Sequence, residues 1–147
     1  MISKKAKYGL KALFNLAKNY KKGPILISKL AKEEGIPKKF LEVILLDLKN
    51  HGLLQSQRGK GGGYYLEKKP DEIILGDVMR IFDGPLAPVS CVSRTAYRKC
   101  DECKDEHSCP IKAVMKEVRE AMSKVLDHTS LAEAMMKVNK DALLYHI

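Results

Sequence analysis

The apolar positions of this chain fall into helical stripes separated by short, turn-rich gaps. Leu10, Leu13, Phe14, Leu16 and Ala17 recur at the three- and four-residue spacing of one helix face, which predicts a first helix ending near Tyr20. Lys21-Lys22-Gly23-Pro24 breaks it, Ile25-Leu26-Ile27 reads as a short extended stretch, and Ser28 offers a cap for a second helix reaching Glu34. Gly35 interrupts. Pro37 suits the first turn of a third helix that would bury Phe40, Leu41, Ile44, Leu45 and Leu48 and stop at Asn50-His51-Gly52. Leu53 to Arg58 and Tyr64 to Leu66 flank a tip of Gly59-Lys60-Gly61-Gly62-Gly63, the pattern of a β-hairpin. A short helix follows over about Gly76–Phe82, stopped by Asp83-Gly84-Pro85. Ile111, Val114, Met115, Val118, Met122, Val125 and Leu126 then mark a helix of about five turns, and Thr129-Ser130-Leu131 caps a shorter one that leads into a frayed tail.

Helix, glycine turn, helix and hairpin make a winged helix-turn-helix, so the fold expected is mainly α with a small β-wing and a long C-terminal dimerisation helix. The divisions expected are 1–83 for the DNA-binding domain, 84–110 for a cysteine-containing sensor loop, and 111–147 for the dimerisation helix and tail. Nothing within the chain is long enough to cover the five-turn helix fully. A second copy is therefore the expected partner, against the alternative of a helix folded back on its own domain.

Charge sharpens the picture. Residues 1–60 carry 14 Lys/Arg and 4 Asp/Glu, whereas residues 61–147 carry 13 and 14, so the net +9 belongs to the first sixty residues. A basic winged helix points to double-stranded DNA, although a solvated lysine-rich surface would give the same count. Lys38, Lys39 and Glu42 open the exposed face of the third helix, where a recognition helix meets base edges and phosphates. Arg58 and Lys60 bring charge to the wing, and its glycines let the backbone approach a groove closely. The glycine run lacks Walker spacing and is not a nucleotide loop.

All four cysteines, Cys91, Cys100, Cys103 and Cys109, lie within nineteen residues of a polar segment. With no secretory signal and no run near the ~18 apolar residues of a membrane span, the expected compartment is the cytoplasm. There, clustered thiols favour metal or redox chemistry over structural disulfides. Four thiolates suit an iron–sulfur cluster. Cys100-x2-Cys103 is equally a zinc knuckle, and Cys100 between Lys99 and Asp101, with Arg98 close by, could act as a bare thiol switch. His107 is a reserve ligand.

Lys7-Tyr8-Gly9-Leu10-Lys11-Ala12-Leu13, Gly35 to Glu42, Arg58-Gly59-Lys60-Gly61-Gly62-Gly63-Tyr64 and Asp83-Gly84-Pro85-Leu86-Ala87-Pro88-Val89 together resemble the Rrf-type family of winged-helix transcriptional regulators, over residues 1 to about 135. The resemblance implies a homodimer joined by the long helix, and we expect its operator affinity to be controlled at the cysteine segment. It implies that Glu42 reads bases, that Arg58 reaches into the minor groove, and that Tyr8, Lys39 and the wing glycines Gly59, Gly61 and Gly62 lie near the DNA backbone. It further implies an iron–sulfur cluster between the Asp-Gly-Pro element and the long helix. We assign its ligands to all four cysteines, with 2Fe–2S placed ahead of 4Fe–4S. Family sensors use three cysteines. This chain has a longer first gap and a fourth thiol, Lys112 where a histidine ligand would follow, and Tyr8 where an acidic ligand would stand in the first helix.

An enzyme acting on nucleic acid, with zinc or a cluster, is the rival from another class. It would need a general base and an open metal position. His51, His107, His128 and His146 are dispersed, and no Ser/His/Asp or His-Glu-x-x-His arrangement exists. An electron carrier would have no use for a basic winged helix.

Overall fold

The structure is a computed structural model that describes residues 2–145. Three helices, α1 (Lys4–Lys18), α2 (Ile27–Glu34) and α3 (Lys38–Asn50), precede an antiparallel hairpin of β1 (Leu54–Gln57) and β2 (Gly63–Leu66). Leu54 pairs with Leu66 and Gln57 with Gly63. A 3-10 turn at Pro70–Glu72 leads into α4 (Leu75–Asp83), and α5 (Pro110–Leu126) and α6 (Leu131–Tyr145) complete the chain.

The core follows the predicted stripes. Leu13, Leu16, Leu30, Leu41, Ile44, Leu45, Leu48 and Leu54 are almost wholly buried against one another. Burying a side chain of this size contributes roughly 1.5–3 kcal/mol, so the α1–α3 packing dominates the stability of this unit. Gly35 makes the turn into α3. It sits at φ 65 as the left-handed C-cap of α2, a conformation that a Cβ disfavours.

One polar residue belongs to this interior. Asn15 is buried in the middle of α1, and its Nδ2 donates to the Glu33 and Glu34 carboxylates at 2.9 and 2.8 Å. Lys11 Nζ donates to the Glu34 carbonyl at 2.6 Å, taking up one of the carbonyls left open at the end of α2. These bonds fix where α2 ends relative to α1, and hence where α3 begins.

Some boundaries move. Ser28 lies inside α2, because Ile25 is drawn into a bridge with Tyr64 (both N–H···O distances 2.8 Å) and the helix starts straight afterwards, at Ile27. Pro37 is the residue flanking α3 rather than its first turn. Phe40 is 56% exposed instead of buried. The core side of α3 is centred on Leu41, Ile44, Leu45 and Leu48, which leaves Phe40 on a flank, edge-on to Tyr8 with ring centroids 6.4 Å apart. The expected frayed end is helical to Tyr145, and His146 and Ile147 lie outside the described residues.

The last turn of α4 is tied to both α1 and α5. Ser3, the N-cap of α1, gives its backbone N–H to the Asp83 carboxylate at 3.0 Å and its hydroxyl to the same group. Arg80 pairs with Asp127, the C-cap of α5, at 2.8 Å. Beyond α5 the chain returns to the DNA-binding unit: Leu75 N–H donates to the Thr129 carbonyl and Leu131 N–H to the Ile73 carbonyl, both at 2.9 Å, and Leu131 joins the core. Among the described residues, none of α5 is buried, and Ile111, Val114 and Val125 are 67%, 52% and 59% exposed.

Candidate nucleic-acid interface and cysteine cavity

Lys38, Lys39 and Glu42 all stand exposed at the start of α3, and Lys39 lies on the side away from Leu41 and Leu45. One flank of this face is held by α1, where Tyr8 meets Phe40, Lys4 Nζ lies 5.7 Å from the Tyr8 ring, and Lys5 pairs with Asp47 at 2.9 Å. The other flank is held by the wing, where Lys49 Nζ donates to Ser56 Oγ at 2.7 Å. Arg58, Gly59, Lys60 and Gly61 form the exposed tip of that wing. Gly62 instead turns inward and donates to the Gly59 carbonyl at 2.9 Å. Any Cβ there would collide with the Gln57 carbonyl, so only glycine closes this tip. α1, α3 and the wing thus line one continuous basic face.

The polar segment after α4 has no periodic apolar pattern, and side-chain bonds to α5 shape it instead. Arg94 grips the Glu120 carboxylate at 2.7 and 2.8 Å, while Arg119 donates to the Val92 carbonyl at 2.5 Å and also pairs with Glu120. Arg119, then Arg94, hold the Glu120 carboxyl below its ordinary range. Ser90 and Arg98 exchange two bonds, Arg98 N–H to the Ser90 carbonyl at 3.2 Å and Ser90 Oγ to the Arg98 carbonyl at 3.1 Å, closing a loop between Cys91 and Cys100.

This loop and the start of α5 enclose an open cavity of about 830 Å³, and Cys91, Cys100, Cys103 and Cys109 all line it. The four thiols are free. Cys100 is exposed and the others half-buried. Cys103 N–H donates to the Cys100 carbonyl at 3.1 Å, a tight turn between the two. Cys109 is the N-cap of α5, its Sγ accepting from Lys112 N–H at 3.5 Å. Desolvation, and then the neighbouring Cys109 and Glu106, push the Cys103 thiol up. Tyr97 donates to Glu106 beside the cavity, which holds the tyrosine up at about 12 and the carboxyl below its usual range. Lys112 completes the group, 3.6 Å from Glu106 and 5.8 Å from the Tyr97 ring.

The donor set suits a soft metal or cluster: four thiols on one cavity, with a backbone N–H already directed at one sulfur. Among the described residues, no group of three His, Cys, Asp or Glu is drawn together as a preformed metal site. His107 is exposed and does not line the cavity. His51 and His128 lie in turns far apart in the chain, and His146 lies outside the described residues. The segment therefore brings the sulfurs to one place without closing them on one point.

Reasoning from sequence missed Asn15, because a polar residue inside an apolar stripe reads as exposed. It also missed the exposed Val43 and Leu46 on α3. The helical period does mark those two, since both lie opposite the Leu41–Leu45–Leu48 side.

Three packed helices, a two-stranded wing and one basic face define a winged helix-turn-helix DNA-binding protein. Residues 2–137 match the family model Rrf2, described as an iron-dependent transcriptional regulator. The chain belongs to the Rrf2 family of transcriptional regulators. It is 41% identical over 147 residues to an Rrf2-like HTH-type transcriptional regulator of Rhodobacter capsulatus, covering 98% of each chain. Its fold is similar to that of CymR, described as the global cysteine regulator of B. subtilis, at TM-score 0.75 and 32% identity, over 91% of this chain and 95% of that one. T. potens IscR is similar at TM-score 0.74 and 29% identity, over 97% and 90%. These relatives are regulators rather than enzymes, and this chain is a DNA-binding transcriptional regulator, not an enzyme. Among the described residues, no helix is long and apolar enough to cross a membrane.

Proposed function

We propose that this chain is a cytoplasmic, homodimeric regulator whose affinity for operator DNA is set by an iron–sulfur cluster held by Cys91, Cys100, Cys103 and Cys109. The observation that carries this reading is the convergence of all four thiols of the chain on one cavity at the foot of α5. A 2Fe–2S centre is preferred to 4Fe–4S. The bound cluster would supply redox and ligand-loss chemistry. The chain supplies the thiolates, the Lys112 N–H on Cys109, and a loop joined to α5 through Arg94 and Arg119. The division into a DNA-binding unit at 1–83, a sensor loop at 84–110 and a dimerisation segment at 111–147 belongs to the same proposal.

An effector shifts a two-state equilibrium only through its different affinity for the two states. The cysteine loop is an element able to differ between states, because beyond buried Val92 and Ser93 it is held by polar pairs rather than a core. Protein purified without oxygen should show visible absorption, with iron and sulfide each at two per chain. Holo and apo protein should then bind the same operator with different affinity. Equal affinities would remove the control. Four irons per chain would replace 2Fe–2S by 4Fe–4S.

The tight turn at Cys100–Cys103 favours a second reading, a structural zinc or, without metal, a thiol switch. Colourless protein with one zinc per chain would select the zinc form.

On the DNA side, Glu42 is assigned to base reading, and Tyr8, Lys38, Lys39, Arg58, Lys60 and the wing glycines Gly59 and Gly61 to positioning on the duplex, with Gly62 shaping the tip that presents them. Glu42→Ala should change which sequences bind. Lys39→Ala should weaken all duplexes alike and lower the salt slope by roughly one unit. Unchanged operator binding by Arg58→Ala would remove the wing from the interface.

A further inference from the structure

The outward side of α3 is not wholly polar. Val43 and Leu46, 53% and 52% exposed, follow Lys39 at one and two turns on the side opposite Leu41, Leu45 and Leu48. Half-exposed apolar side chains at the centre of a basic face contribute little to the core. Both flanks of this strip are fixed, by the Lys5–Asp47 and Tyr8–Phe40 contacts on the α1 side and by Lys49–Ser56 at the wing. A duplex that touches the lysines at the start of α1 and Arg58 on the wing together must cross the strip between them.

The surrounding charge chooses the occupant. The first sixty residues carry 14 Lys/Arg against 4 Asp/Glu, which suits a polyanion. In the major groove the apolar group offered on a base edge is the C5 methyl of thymine. We propose that Val43 is a specificity-determining residue that packs on the C5 methyl of a thymine in the operator, next to the base read by Glu42, with Leu46 flanking it. The proposal rests on α3 being the recognition helix.

The test uses the full chain and the duplex it enriches from a random pool. Each thymine in turn is replaced by deoxyuridine, which lacks only that methyl. At one thymine in each half-site the swap should weaken binding roughly fourfold, the worth of one buried methyl group. Val43→Ala should lose comparable affinity on the thymine duplex and lose nothing more on the uracil one, the non-additivity of two groups in contact. Position 43 is exposed and alanine favours helix, so the variant should fold, as circular dichroism can verify. If no single uracil matters, or if Val43→Ala keeps the wild-type preference for thymine, the assignment is wrong while α3 stays the reader. A Val43→Ala protein that changes its assembly mass but not its base preference would give the strip to a protein partner. Failure to enrich any duplex would overturn the recognition-helix reading, and this one with it.

Discussion

Asp127 closes α5 while carrying charge into a partly buried corner. It accepts from Arg80 at 2.8 Å and from Ser123 Oγ at 2.6 Å, and the Arg80 hydrogen bond holds its carboxyl below the ordinary aspartate range despite burial. A depressed folded-state value means that its contribution is present above the unfolded-state pKa and is lost as pH falls through the folded one. Asp127→Asn should therefore be less stable than the parent at neutral pH, by about 1 kcal/mol once solvent screening of this half-exposed pair is discounted, with the gap closing in acid. Urea titrations across pH would check this, and a gap that does not depend on pH would remove the ion pair as its cause. None of this was legible in the sequence, because a pair 47 residues apart leaves no periodic trace. Phe40 failed for a related reason. Its spacing fits the apolar stripe, but it stands at the stripe's edge, where a tertiary neighbour such as Tyr8 decides the outcome.

At the scale of elements, α1, α3 and the hairpin were readable because burial on one face imposes a period. The start of α2 was not, since the bridge of Ile25 to Tyr64 is a contact between distant residues. The cap of α6 was readable: Ser130 is buried, and its Oγ accepts from Glu133 N–H at 3.1 Å. Ser130→Ala should cost about 1 kcal/mol, as loss of an N-cap does, and lower Tm by roughly 2–4 °C for a chain of this size. The cysteine loop was legible as composition but not as shape. Its form depends on Arg94, Arg119 and Glu120. Glu120→Gln should leave the winged helix folded while loosening residues 90–109, seen as faster amide exchange confined to that loop. Faster exchange across α1–α3 as well would show that the loop and the core unfold together.

For the molecule as a whole, α5 is left uncovered within one chain among the described residues. Exposed Ile111, Val114 and Val125 form an apolar face that a second copy would bury, and two-fold pairing there suits a two-fold operator. Val114→Glu with Val125→Glu should halve the mass seen by sedimentation and weaken operator binding, while circular dichroism stays that of a folded chain. Undiminished mass would place the interface elsewhere. The tie of α4 to both α1 and α5 has a thermodynamic consequence. Arg80–Asp127 joins it to α5, and Asp83–Ser3 joins it to the end of α1 beside the DNA-binding face. If metal at the cysteines alters operator affinity through this link, operator must alter metal affinity by the same factor, because the two bindings share one coupling free energy. The promoter would then act as an effector of the sensor: protein on DNA and protein off DNA would hold the same cofactor with different tenacity. Asp83→Ala should reduce both effects together.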